Sequence, residues 1–304
     1  MTHNHRSEHT HGTGNYNRAF IISVTLNTLF VAIEAFYGIA ANSLALLADA
    51  GHNLSDVLGL LLAWGASFLS QRQATERRTF GLRRSSILAA LFNAMFLLVI
   101  SGGVGWEAIL RFRDPAPVSG RKLIVVAAIG IVINTVSALM FLTGRKRDLN
   151  IRGAFLHLMA DAAVSAVVVL AGVAIVFTGE LWFDPAVSLL VTAVIVVGTW
   201  QLLRDALNLI TDAVPAGIEP LAVRTYLAER PGVTEVHDLH IWSMSTTEAA
   251  LMVHLLIPTG HPGDAFLAQI YRDLHENFGI EHATIQIEIG DSGQACALAP
   301  ENVV

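Results

Sequence analysis

The chain has 304 residues, of which 53% are hydrophobic and only 14% charged. A soluble globular protein carries about 25% charged residues, so much of this chain is expected to sit in lipid. A net charge of −6 gives no support for nucleic-acid binding, and the single cysteine, Cys296, excludes an internal disulfide framework and thiolate metal clusters.

Residues 1–17 are polar and contain His3, His5, His9 and His11. Nothing in them can build a core, so a disordered tail is expected, either plainly solvated or gathering metal loosely. Six apolar segments follow, at 19–41, 44–69, 85–111, 123–143, 153–177 and 183–209. Each is about long enough to span a bilayer with some tilt. The expected fold is therefore an α-helical membrane protein with six transmembrane helices. Orientation comes from the short loops. The second-to-third loop holds Arg72, Arg77, Arg78, Arg83 and Arg84, and the fourth-to-fifth holds Arg145, Lys146, Arg147 and Arg152. By the positive-inside rule these loops face the cytoplasm, with both termini. The third-to-fourth loop departs from the rule, because Arg111, Arg113, Arg121 and Lys122 would lie outside.

Asp212, Pro215, Gly217 and Pro220 mark a boundary. Beyond it the pattern predicts a helix at 219–228, strands at 233–244 and 248–257, a helix at 265–278 and a strand at 284–289. This is a small α+β unit of order α-β-β-α-β. The expected layout is a tail at 1–17, a membrane domain at 18–211, a cytoplasmic domain at 212–290 and a flexible tail at 291–304.

The chemistry sits in the second and fifth apolar segments. An Asp at the centre of a spanning helix costs about 2.5–3.5 kcal/mol on insertion scales, so such residues mark ion pathways. Asp49, His52, Asn53 and Asp56 are spaced by three and four, which puts them on one helical face. His157 and Asp161 repeat the four-residue spacing. Two helices can thus converge two imidazoles and two carboxylates on one divalent ion, a shell that suits tetrahedral Zn2+, Co2+ or Cd2+ better than Mg2+. These ligands bind metal only when deprotonated, so metal and protons compete for them, which supplies a mechanism for antiport. Asp49 and Asn53, with Asn27 and Glu34 of the first segment, are candidates for orienting the ligands or lining the path. For Asn27 and Glu34 a purely structural role is the equal alternative. Two other classes are weighed: a membrane-embedded zinc metalloenzyme, which lacks a His-Glu-x-x-His motif, and a non-transporting metal sensor, which leaves the intramembrane carboxylates unexplained.

At these residues the chain resembles the cation diffusion facilitator family, in its bacterial zinc/cadmium/cobalt-efflux branch. The matching stretches are NSLALLADAGHNLSD at 42–56, FG at 80–81, ILAALFNA at 87–94, His157 to Asp161, HDLHIW at 237–242 and TIQIE at 284–288. The resemblance implies a homodimer in the cell (inner) membrane with a cytoplasmic metallochaperone-like, ferredoxin-like domain. It implies proton-coupled export of Zn2+ by alternating access, with His52, Asp56, His157 and Asp161 as the transport site. It also implies a cytoplasmic metal site at His237, His254, Glu288 and a histidine near 282, for which His282 is the candidate. There Zn2+, the substrate, would also act as regulator. His240 can join His237 in one site only if the strand between them is irregular. His261 is a further candidate by proximity in sequence. The family's second loop site is expected to be absent, because residues 70–84 contain neither His nor Asp. A charge interlock of Arg83 or Arg84 with Asp212 is expected instead.

Overall fold

The computed structural model describes residues 13–70, 74–142, 149–290 and Cys296. The N-terminal histidines and Arg145, Lys146 and Arg147 lie outside the described residues. Six long helices come first: α1 (Thr13–Ala41), α2 (Leu44–Ser70), α3 (Ser85–Arg111), α4 (Gly120–Met140), α5 (Leu149–Thr178) and α6 (Phe183–Ile210). The first helix begins at Thr13, inside the stretch expected to be disordered. Among the described residues, five helices contain stretches long and apolar enough to cross a membrane: Ile21–Ala41, Ser85–Arg111, Gly120–Met140, Ala154–Thr178 and Phe183–Ile210. The α2 helix is not in that set. Large apolar side chains such as Phe36, Val99, Trp106, Val197 and Trp200 point outward. That is the pattern of helices whose solvent is hydrocarbon.

The chain forms two compact units. The first holds the chain up to Leu61 together with Asn93–Trp200. In it, α4 and α5 approach closely through glycines. A Cβ on Gly120 would come within 2.9 Å of the Gly172 carbonyl oxygen, and one on Gly172 within 3.1 Å of the Gly120 oxygen. Small residues of this kind let membrane helices pack backbone to backbone. A core of Phe30, Ala45, Leu46, Leu123, Val126, Ala127, Val168, Ala171 and Ile175 fills one end of this unit.

At that same end the turn from α1 to α2 is tied down by polar contacts. Asp184, at the start of α6, is fully buried. Its carboxylate accepts hydrogen bonds from the Ser43 hydroxyl, from Leu44 N at 2.9 Å and from Ala45 N at 3.3 Å. It therefore caps α2 from another helix and meets the positive end of its dipole. Asn42 holds a left-handed φ of 53°. Arg111 donates to the Asn42 carbonyl and side-chain oxygens, and Lys122 donates to the Ala40 carbonyl. Two of the four cations that break the positive-inside pattern thus satisfy carbonyls at the C-terminal end of α1.

The second unit holds Leu62–Phe92 and Gln201–Val304. Its α/β part runs α7 (Pro220–Ala228), β1 (Glu235–Ser243), β2 (Ala249–Leu256), α8 (Asp264–Phe278) and β3 (Ile280–Glu288). Pro220 starts α7 where its missing N–H costs nothing, and Gly279 ends α8 in the left-handed conformation. The sheet order is β1-β2-β3, with β1–β2 antiparallel and β2–β3 parallel. The central strand reads Ala-Ala-Leu-Met-Val-His-Leu-Leu and is buried nearly throughout. Leu227, Leu251, Leu255, Ile270 and Leu274 form its core. The third strand starts at Ile280, four residues before the alternating pattern predicted, because Ile280 already pairs with Ala249.

Candidate metal centres

The first cluster joins the middle of α2 to the first half of α5. His52 Nε2 lies 3.7 Å from Asp56 Oδ2 and 3.4 Å from Asp161 Oδ1. His157 Nε2 lies 3.3 Å from Asp56 Oδ2 and 3.7 Å from Asp161 Oδ2. The two imidazole rings meet edge to face at 6.0 Å. Zinc bonds of 2.0–2.2 Å in a tetrahedron imply ligand–ligand edges of about 3.3–3.5 Å. Four N–O edges here span 3.3–3.7 Å. His52, Asp56 and Asp161 form the tighter triad, with ligand atoms within 4.8 Å of one another. His157 lies within 3.7 Å of both carboxylates but outside that mutually close group. Asp56 Oδ2 is buried and lacks a hydrogen-bond donor, as an atom kept for a cation would.

A cavity of 280 Å³ reaches this cluster, lined by Ser23, Asn27, Asn53, Asp56, His157 and Asp161 among apolar neighbours. It lies where α1 and α5 begin and α4 ends, opposite the apolar core around Phe30. His157 is the most open of the four side chains, at 48% exposed, and Asp161 the most enclosed, at 5%. Asn27 thus lines the cavity. Asn53 also lines it and donates to Glu34 Oε2 at 3.1 Å. Asp49 and Glu34 are fully buried beyond the ligands.

The second cluster lies on the sheet. His237 and His254 pair across β1 and β2, with rings 5.5 Å apart. Glu288, at the end of β3, approaches His237 Nε2 at 3.2 Å and His254 Nδ1 at 3.1 Å. Cys296 Sγ lies 3.7 Å from His254 Nδ1, and these four residues could share one ion. Partial burial pushes the Glu288 carboxyl up. The hydrogen bonds from Cys296 and Gln286 and the nearby His237 and His254 outweigh it and hold the carboxyl below its ordinary value.

The strand is irregular between His237 and His240, as a shared site would need. The bulge puts Asp238 at φ 51°. Asp238, and not His240, faces the cluster, with its Oδ2 3.4 Å from His254 Nε2. His240 instead bonds Asp238 Oδ1 at 2.9 Å. His282 pairs with Ala250, while Gln286 pairs with His254. Four residues along a strand is about 13 Å, so His282 lies away from the cluster within this chain. Its ring packs edge-on against Phe80. His261 lies in the loop after β2, where its Nδ1 accepts from Gly263 N. Sequence reasoning passed over Asp238 and Cys296. The His-Asp dipeptide at 237–238 was visible, but the bulge that turns its aspartate inward was not.

Two ion pairs tie the α2–α3 connection to the α/β part of the same unit. Arg84 pairs with Asp212, and Arg83 pairs with Glu248 of the β1–β2 turn at 2.8 Å. Ser86 Oγ also accepts from Thr246 N. The Glu248 partner was not foreseen.

Residues 20–211 match the family model of the cation efflux transmembrane domain, and residues 215–289 that of the cation efflux protein cytoplasmic domain, named as a dimer module. Among curated proteins, the chain is 36% identical over 290 residues to the metal cation efflux system protein CzcD of Cupriavidus metallidurans, covering 95% of this chain and 92% of that one. It is 37% identical to the zinc transporter ZitB of Escherichia coli, covering 94% and 92%. It is 35% identical to the cadmium, cobalt and zinc/H(+)-K(+) antiporter of Bacillus subtilis, covering 92% and 91%. Members of this family are transporters, which removes the metalloenzyme alternative. A multi-pass helical membrane domain with a His/Asp cluster, an α/β cytoplasmic domain and matches across both identify the chain as a member of the cation efflux family, a metal cation transporter.

Proposed function

We propose that this protein is a proton-coupled antiporter that exports Zn2+, and also Cd2+ or Co2+, from the cytoplasm. The substrate ion sits between His52, Asp56, His157 and Asp161. The observation that carries this reading is the set of four N–O separations of 3.3–3.7 Å, close to the edges of a zinc tetrahedron, around an Asp56 oxygen with no donor. Two carboxylates neutralise a divalent ion, which limits the cost of holding it in the membrane.

All six long helices span the inner membrane in this reading, α2 included, because its polar face is turned to the ion and away from lipid. Both termini face the cytoplasm. The use of Arg111 and Lys122 to satisfy helix-end carbonyls supports that orientation, since those charges serve a local role in an outer loop. The cavity then opens to the cytoplasm, and the core around Phe30 closes the far side. Metal entering by the cavity displaces protons from the four ligands. After the helices rearrange, protons from the far side displace the metal. The functional domains are 18–211 in the membrane and 212–290 in the cytoplasm, and the protein acts as a homodimer. The test is metal flux into proteoliposomes with and without an imposed pH gradient. Acceleration by the gradient is expected, and indifference to it would overturn antiport.

Within the cytoplasmic domain, His237, His254 and Glu288 form a regulatory metal site with Asp238 and Cys296 beside them. Glu288→Ala is expected to weaken zinc binding at that site at least about 10-fold, since losing a ligand costs no less than losing the outer groups that orient one. Titrating purified protein with zinc measures it. The intramembrane site should titrate as in the native protein, and an unchanged total stoichiometry and affinity would remove the cytoplasmic site.

A further inference from the structure

Glu34 on α1 and Asp49 on α2 are both 0% exposed. Neither is one of the four ligands. Asp49 lies three residues before His52, and Ser165, which donates to Asp49 Oδ2 at 3.0 Å, lies four residues after Asp161. The pair therefore sits one helical turn beyond the ligands, on the side away from the cavity. Gly130 makes room at this level: a Cβ there would come within 2.6 Å of Phe30 and 3.1 Å of Ser165 Oγ.

The hydrogen-bond count of the pair is incomplete. Glu34 Oε2 receives Asn53 Nδ2, and Asp49 Oδ2 receives the Ser165 hydroxyl. Glu34 Oε1 and Asp49 Oδ1 are buried with no donor. The two carboxyl groups lie within side-chain hydrogen-bonding reach of each other. Two ionised carboxylates offer only acceptors, and in a buried site they repel strongly. A single proton shared by the pair supplies a donor where there is none and removes one of the two charges. The charges that reach the pair come from His52 on α2 and Asp161 on α5. Asn134 and Ser137, buried on α4, are neutral. Asp49 lies one helical turn from the His52 imidazole on α2, whereas Glu34 lies on α1, which carries no ligand, so Asp49 is placed as the anion of the pair.

We propose that Glu34 and Asp49 form a proton-holding pair behind the transport ligands, with the proton on Glu34 and directed at Asp49. The pair is a reservoir next to the four groups that exchange protons for metal, on the side from which protons must arrive. Asn53 connects it to the loading side, since Asn53 both lines the cavity and donates to Glu34. The role in transport rests on the antiport reading above, whereas the presence of the proton does not.

The test uses infrared spectra of the full-length, metal-free protein near neutral pH, prepared with ordinary and with carboxyl-13C-labelled glutamate. Glu34 is the only buried glutamate among the described residues, so the label assigns the signal without a substitution. The expected result is a protonated-carboxyl carbonyl band that shifts with the label and is lost in Glu34→Gln. A native protein with no such band, or with one that ignores the label, overturns the proposal. In proteoliposomes, Glu34→Gln is expected to lose the acceleration of zinc flux by a pH gradient. Native-like acceleration in that variant overturns the pair's role in exchange. Native flux that ignores the gradient counts against antiport instead, and the infrared result still decides whether the proton is held.

Discussion

Replacing Asp161 with alanine is expected to abolish metal transport and to weaken zinc binding in the membrane at least about 100-fold, or about 2.7 kcal/mol. Asp161 is the most enclosed of the four side chains and lies within 3.7 Å of both histidines. Its loss removes one ligand and one of two negative charges, so a bound divalent ion would carry an uncompensated positive charge. A single charge at mid-membrane costs about 2.5–3.5 kcal/mol on insertion scales, comparable to the expected loss. Asp161→Asn separates the two causes, because it keeps an oxygen ligand and drops the charge. Flux into proteoliposomes and zinc titration of the purified protein read both effects. If Asp161→Ala transports zinc at the native rate, the four-ligand site is wrong.

The second large effect is expected on stability, at a residue that touches no ligand. Asp184→Ala strips the acceptor from the Ser43 hydroxyl and from Leu44 N and Ala45 N at a fully buried helix start. An orphaned buried donor costs about 1–3 kcal/mol, so a loss of roughly 3 kcal/mol or more follows. On a chain of this size that lowers the thermal midpoint by on the order of 5–10 °C. Thermal unfolding in detergent is the measurement. Asp184→Asn, which keeps one acceptor oxygen, should fall between the alanine variant and the native chain. A midpoint for Asp184→Ala equal to the native one would show that Asp184 does not hold the α1–α2 turn.

What could be read in the sequence was what depends on spacing. His52 with Asp56 and His157 with Asp161 needed only the four-residue repeat of a helix and an apolar setting. The α-β-β-α-β order followed from a change of hydrophobic period after Leu209. What could not be read depends on contacts far apart in the chain. Asp184 caps a helix that begins 140 residues earlier. The start of β3 is decided by its parallel pairing with Ala249, not by local alternation. Asp238 faces the cytoplasmic cluster only because the backbone bulges there, and a single Asp inside an apolar strand did not by itself mark the bulge. Cys296 was dismissed by a rule about clusters of several thiolates. A mixed cluster of two histidines, a glutamate and one cysteine needs only one.

The cavity that reaches His157 and Asp56 is roomy and mostly apolar, with the neutral side chains of Ser23, Asn27 and Asn53 as its polar lining before the ligands. On the proposed reading an ion arrives there with most of its water attached, because the wall before the ligands offers only a few neutral polar groups. The stripping is left to the four ligands themselves. Mg2+ gives up water reluctantly and prefers six oxygens, whereas Zn2+ accepts four ligands that include imidazole. On the proposed reading, discrimination against the abundant hard cation falls on the dehydration step, at the bottom of the cavity and not at its mouth.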